Sequence, residues 1–168
     1  TEKALRESEE NYRVLFESID EGFMIVDVIF DENKKPLDFI FSQANPSFWR
    51  LSGLPKFIIG KTATEAIPGL EDFWIETYGS VALTGKSVRF ENYAEQLSRW
   101  FDVYASRVGG EESNRVAVVF NNVTARKNVE QERERSLEME KNARRIAEEN
   151  NRAKDDFLTM LSHELRAP

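Results

Sequence analysis

The chain holds one histidine, His163, and no cysteine. His163 lies two positions from both Leu161 and Leu165. On a helix two positions are about 200° of rotation, so the imidazole faces away from the apolar stripe that carries those leucines. A histidine used for packing would sit on the stripe. This one is presented to solvent or to a partner, and imidazole offers a neutral, nucleophilic nitrogen near neutral pH. Glu164 follows it and can hydrogen-bond one ring nitrogen, fix the tautomer and raise the basicity of the other. The lack of cysteine removes disulfides, thiolate metal sites, a thiol nucleophile and any cofactor bonded through sulfur.

The element that must carry His163 begins where the composition breaks, near Thr124. Before that point lie all eight glycines, four of the five prolines and 18 of the 19 aromatic residues. From Ala125 to Asp156 there is no glycine, proline or aromatic residue, and 18 of the 32 residues are charged. This predicts one long, polar, uninterrupted helix. A heptad with Val129, Ser136, Ala143, Asn150 and Phe157 at a places Glu132, Met139, Ile146, Ala153 and Met160 at d. Such a seam suits a parallel two-stranded coiled coil, in which Asn150 costs stability but fixes register and strand number. The apolar positions then step by four, through Phe157, Leu161 and Leu165. A four-residue step is a stutter that unwinds the supercoil locally. It suits a passage from two helices to a wider bundle, and Pro168 is expected to kink the helix beside His163.

The front of the chain reads as a globular domain. Of the 168 residues, 40% are hydrophobic, enough to bury a core in one domain with an extension. The net charge of −7 comes from residues 1–124, where 20 acidic residues face 13 basic ones; this argues against nucleic acid as a partner. No apolar run reaches the roughly 18 residues of a membrane span, and no signal peptide is visible. Leu5, Tyr12, Leu15, Phe16 and Ile19 predict an amphipathic helix over residues 1–19. Strands are expected at Phe23–Phe30 and Leu37–Gln43, paired as a hairpin. Asn45-Pro46 starts a helix that ends before Gly53, and Thr62 to Glu65 fits a capping box. A longer helix over Glu71–Leu83 carries Phe73, Trp74, Tyr78, Val81 and Ala82 toward the core and closes at Gly85. Strands follow at Ser87–Ala94, Arg99–Val108 and Arg115–Val123, the last apolar enough to be central. Two strands, three helices and three strands exclude a doubly wound parallel sheet. They point to an α+β fold with helices on one face of a five-stranded antiparallel sheet.

This order resembles a PAS sensor domain over roughly residues 5–124. Glu21-Gly22 before the first strand, Asn45-Pro46-Ser47-Phe48 opening the middle helices and Leu51-Ser52-Gly53 closing them support the likeness. Asn122-Val123-Thr124 resembles the family's Asp-Ile-Thr exit motif; Asn in place of Asp can still cap the exit helix but brings no charge. The run Phe157-Leu158-Thr159-Met160-Leu161-Ser162-His163-Glu164-Leu165-Arg166-Ala167-Pro168 resembles the H-box of sensor histidine kinases of two-component systems. The resemblance implies that His163 is a phosphoacceptor and that Glu164 takes a proton during phosphoryl transfer. Residues 1–20 are then an N-terminal helix, 21–124 the sensor domain, 125–156 a coiled-coil signalling helix and 157–168 the start of the phosphotransfer domain.

The implied partners are a second copy, through the N-terminal and exit helices, and the receiver domain of a response regulator. ATP and Mg²⁺ belong to a catalytic domain absent from this sequence, which has no phosphate-binding glycine loop. The chain opens at Thr1 and stops within the H-box, so it reads as the sensory piece of a longer, cytoplasmic protein, with anchoring through upstream segments left open. It is not expected to hydrolyse or transfer anything by itself. No histidine lies in residues 1–124 to ligate haem, and no cysteine is present to bond a flavin. A small organic ligand, a non-covalent flavin or an empty relay domain remain, with Phe41, Trp49, Trp74, Phe90, Trp100, Val103 and Phe120 as candidate pocket residues or plain core. The alternative reading is a non-enzymatic PAS dimerisation module of another signalling protein. The family often has Thr or Asn four residues after the histidine, thought to orient water for dephosphorylating the partner; here Ala167 cannot hydrogen-bond. Ala167→Thr in the longer protein is therefore expected to accelerate partner dephosphorylation, measured as the decay of labelled receiver.

Overall fold

A computed structural model describes residues 1–166. Ala167 and Pro168, with the water-orienting deficit and the kink expected of them, lie outside the described residues. Two compact units divide at Thr124 and Ala125.

In the first unit, helix α1 (Glu2–Ser18) starts under the Thr1 hydroxyl, which accepts from the Ala4 N–H. Strands β1 (Gly22–Phe30) and β2 (Pro36–Ala44) form an antiparallel hairpin. The Asp31 carboxylate accepts from the Asn33 and Lys35 N–H groups and sets its turn. Helices α2 (Pro46–Ser52), α3 (Ala63–Ala66) and α4 (Asp72–Thr84) follow. Then come β3 (Val88–Ala94), β4 (Arg99–Arg107) and β5 (Arg115–Asn122). Two single 3₁₀ turns, Lys56–Ile58 and Glu95–Leu97, are additions that periodicity did not announce. The sheet is antiparallel in the order β2-β1-β5-β4-β3, so apolar β5 is indeed its centre. The long helix α5 runs from Thr124 to Arg166.

One buried side chain joins the hairpin to the helices. Asn45 is wholly buried. Its Oδ1 accepts from the Phe48 N–H, which caps α2, and from the Phe23 N–H at the start of β1, at 3.0 and 2.8 Å. Its Nδ2 donates to the Glu21 carbonyl at 3.0 Å. Pro46 takes the first helical position, where no N–H is needed.

The other ends of the helices are held from β4. Glycines 53 and 85 close α2 and α4 in the left-handed conformation, at φ 73° and 71°. Arg99 donates to the Leu51 carbonyl and Arg107 to the Ala82 carbonyl, each at 3.1 Å. A Cβ on either glycine would meet the arriving guanidinium at 2.5 Å. The glycine thus supplies both the backbone turn and the space for the cation that satisfies the helix end.

The core fills the face of the sheet covered by α2, α3 and α4, with Val26, Val103, Val116 and Val118 against Phe48, Ile58 and Val81. Phe73 was expected on the buried face of α4 and is instead 41% exposed, edge-on to Phe90. Gly79 explains the difference. Its missing Cβ would lie 2.5 Å from Pro36, so α4 approaches the hairpin there and buries Ile75 rather than Phe73.

Asn45→Ala would remove the side-chain partner of the part-buried Phe23 N–H and Glu21 carbonyl, while the Phe48 N–H keeps its bond to the backbone carbonyl of residue 45, at a cost of about 2 kcal/mol. Thermal denaturation of the chain is expected to show this, with a smaller loss for Gly85→Ala.

Candidate functional site

Helix α5 has 43 residues and is therefore about 65 Å long. None of its described residues is buried within the chain. Val129, Met139, Ile146, Phe157 and Met160 are each more than half exposed, so the apolar seam is unpartnered. Glu130 pairs with Arg126 one turn away. His163 and Glu164 are both exposed near the end of this helix. No hydrogen bond joins them among the described residues. Residues one apart on a helix project about 100° apart, so a contact between the two needs rotamers that reach across the helix surface.

The first unit holds a cavity of about 60 Å³ between α4, α2 and the sheet. Phe41, Trp74, Val103 and Phe120 line it, as expected. Trp49, Phe90 and Trp100 do not, and each is displaced for a local reason. Trp49 is one position past Phe48, which takes the inward face of α2; the two rings meet edge-on at 4.8 Å. Phe90 lies on edge strand β3 and packs on Phe73 and Trp74 instead. Trp100 alternates with inward Phe101, so it lies on the outer face of the sheet against Tyr93. Met24, Phe39, Phe48, Tyr78, Leu97 and Phe101 are lining residues the sequence reading missed. Met24 could have been found by its alternation with Val26 and Val28.

The cavity is partly open to solvent. Its walls carry no charged side chain. Burial pushes the Tyr78 phenol above its ordinary value, which keeps it a neutral hydrogen-bonding group. Among the described residues no cluster of His, Asp or Glu is placed to hold a metal, and no helix is long and apolar enough to cross a membrane.

A family model described as PAS domain matches residues 10–103, more than half of the chain. The chain belongs to the PAS domain family. Among solved structures, the PAS domain of an HTR-like protein from Haloarcula marismortui is similar at 18% identity and a TM-score of 0.53, over 72% of this chain and 96% of that one. An RNA-binding light-oxygen-voltage receptor is similar at 17% identity and a TM-score of 0.55, over 79% of this chain and 38% of that one. These likenesses are of fold. No curated protein gives a match.

The last residues of the PAS domain tie the cavity wall to the start of α5. Asn122 Nδ2 donates to the Leu51 carbonyl at 3.4 Å, one residue before the lining residue Ser52. Asn122 Oδ1 accepts from the Thr124 N–H and hydroxyl at 3.0 and 2.5 Å. The Thr124 hydroxyl in turn accepts from the Trp100 N–H at 2.9 Å. An asparagine does here what an aspartate could not, because it donates on one side and accepts on the other. Thr124→Val removes both hydroxyl bonds. It is expected to cost about 1 kcal/mol and to speed amide exchange in the first turn of α5.

Proposed function

We propose that the chain is the sensing and dimerising part of a sensor histidine kinase of a two-component system. The observation that carries this reading is His163. It stands open to solvent on a long helix that leaves a PAS domain, within the run Ser162-His163-Glu164-Leu165-Arg166. In the proposed reaction a ring nitrogen of His163 attacks the γ-phosphorus of ATP. The bond to the β-γ bridging oxygen breaks and ADP leaves. The proton on the other ring nitrogen passes to a carboxylate, for which Glu164 is the candidate. ATP and Mg²⁺ are held by a separate catalytic domain, and the phosphoryl group goes on to the receiver domain of a response regulator.

Dimerisation supplies the missing packing. The exposed seam of α5 and the exposed Leu5, Tyr12 and Leu15 of α1 are the surfaces a second copy would cover. A solitary helix with this much charge gains little from its own side chains, so a partner strand accounts for its persistence. The PAS domain then acts by shifting the paired exit helices, and the stutter after Phe157 is the place where two packings can exchange. The parent protein works in the cytoplasm or is anchored to a membrane by segments outside this sequence.

The longer protein, incubated with labelled ATP and Mg²⁺, is expected to gain acid-labile, base-stable label that His163→Gln abolishes. Label that survives the substitution, or no label at all, would leave a PAS dimerisation module without kinase output. Independently, Asn150→Leu is expected to raise the melting temperature of the coiled coil while admitting strand numbers above two, read by sedimentation equilibrium.

A further inference from the structure

We infer that the outer edge of β3 is an interaction surface for a second copy of this chain, the two β3 strands pairing antiparallel about a twofold axis at Phe90. The inference stands on the sheet and does not depend on the kinase reading.

The two edges of the sheet differ. The strand order leaves β2 at one edge and β3 at the other. The β2 edge is occupied. Phe41 donates its N–H to the Lys61 carbonyl at 3.1 Å and accepts from the Gly60 N–H at 2.7 Å, and Thr62 bridges Ile40. β2 also opens on Pro36, and its ladder with β1 carries register shifts. β3 has none of these protections. Among the described residues no strand lies beyond it, and its seven residues contain no proline and run in unbroken register with β4. Sheet edges are normally blunted against pairing, so a regular edge left open marks a place where another strand can add.

The neighbouring ladder decides which backbone groups the edge offers. Trp100 turns both of its groups away from β3: its carbonyl accepts from the Val123 N–H at 2.8 Å and its N–H donates to the Thr124 hydroxyl at 2.9 Å. Alternation then directs Phe101, Val103 and Ala105 toward β3, where they face Asn92, Phe90 and Val88. The residues between these, Arg89 and Tyr93 among them, aim their N–H and C=O groups outward. The side chains select the partner and the register. Centred on Phe90, antiparallel pairing sets Arg89 opposite Glu91 of the second copy on both sides of the axis. Centring on Arg89 or on Glu91 would set like charges face to face, which is unfavourable. Within the chain Arg89 already pairs with Asp102 at 2.9 Å, and a guanidinium can serve more than one carboxylate. On the helix side the same register brings Phe90 against its own mate. Phe90 packs edge-on to Phe73 at 5.3 Å, and Phe73 is 41% exposed, so both rings would gain an apolar neighbour across the axis. Together with pairing through α5, this edge would link dimers into larger assemblies.

The chain has no cysteine, so a single introduced thiol can bridge only to its own copy. On the axis, residue 90 faces its mate within disulfide reach, whereas residue 93 faces residue 87 of the second copy and lies about 20 Å from its own mate. Under mild oxidation of the full chain, Phe90→Cys is expected to form a disulfide-linked dimer severalfold faster than Tyr93→Cys, read on a non-reducing gel. Should Phe90→Cys not fold, a mixture of Ser87→Cys and Tyr93→Cys chains is expected to cross-link severalfold faster than either chain alone. Adding Glu91→Lys to either experiment is expected to slow cross-linking by about tenfold, because it sets a lysine against Arg89 on both sides of the axis. Cross-linking no faster at residue 90 than at residue 93, with a mixture no faster than its components, would overturn the proposal and leave the edge to a strand of another protein. Rates unmoved by Glu91→Lys would overturn it as well. No ATP is involved. Edge cross-linking in a chain whose longer form carries no phosphohistidine would remove the kinase reading and keep this surface; the reverse would remove this surface alone.

Discussion

A chain that passes from a β-hairpin into helices must bury the turn between them, and every backbone group in that turn then needs a partner. Asn45 answers the requirement with one amide. Its oxygen takes the N–H of Phe48 and that of Phe23, and its nitrogen serves the carbonyl of Glu21. The first of these groups opens α2; the other two belong to the entry of β1, some twenty residues earlier in the chain. Ser47, two positions on, donates to the Ile19 carbonyl at 2.7 Å and extends the same seam. Where α2 lies on the sheet follows from this knot. The position of α2 in turn decides that Phe48 and Ser52, not Trp49, face inward.

The opposite ends of α2 and α4 are fixed by charge rather than by an amide. Arg99 and Arg107 stand at the two ends of β4 and each reaches a helix carboxyl end. A helix end carries partial negative charge and unpaired carbonyls, so a guanidinium there is favourable twice over. The pairing fixes both helices to the strand whose inward residues, Phe101 and Val103, form the cavity wall. Leu51 binds both Arg99 and Asn122 through one carbonyl, and Asn122 also holds Thr124. A displacement of α2 therefore bears directly on the residue from which α5 starts.

Much of this fold was legible because its signals are local. Asn45-Pro46, Gly53, Thr62 and Gly85 each dictate a cap by their own backbone chemistry, and the structure uses each as a cap. Alternation gave the strands, and the lack of any polar interruption gave β5 its central place. The candidate pocket was legible only by halves. Aromatic residues were chosen for size, whereas the pleat selects by parity; Trp100 beside inward Phe101 had to face outward. The bond from the Glu95 N–H to the Glu71 carboxylate was not legible at all. It joins residues 24 positions apart through a backbone N–H, and any exposed glutamate at a helix start reads as an ordinary favourable charge. The same limit applied to His163 and Glu164. Their order in the chain suggests contact, while helical geometry turns adjacent side chains apart.

That separation bears on how the histidine can be used. An imidazole held by its neighbour would be oriented before any partner arrived. No hydrogen bond to His163 is seen among the described residues, so on the reading proposed above its orientation would come from whatever packs against α5. The apolar residues that would draw such a partner, Phe157, Leu161 and Leu165, lie on the side of the helix the ring turns away from. Packing on that stripe would present the imidazole outward rather than cover it. On the proposed reading, a helix paired through that stripe would keep the imidazole accessible and leave control to whatever shifts the stripe.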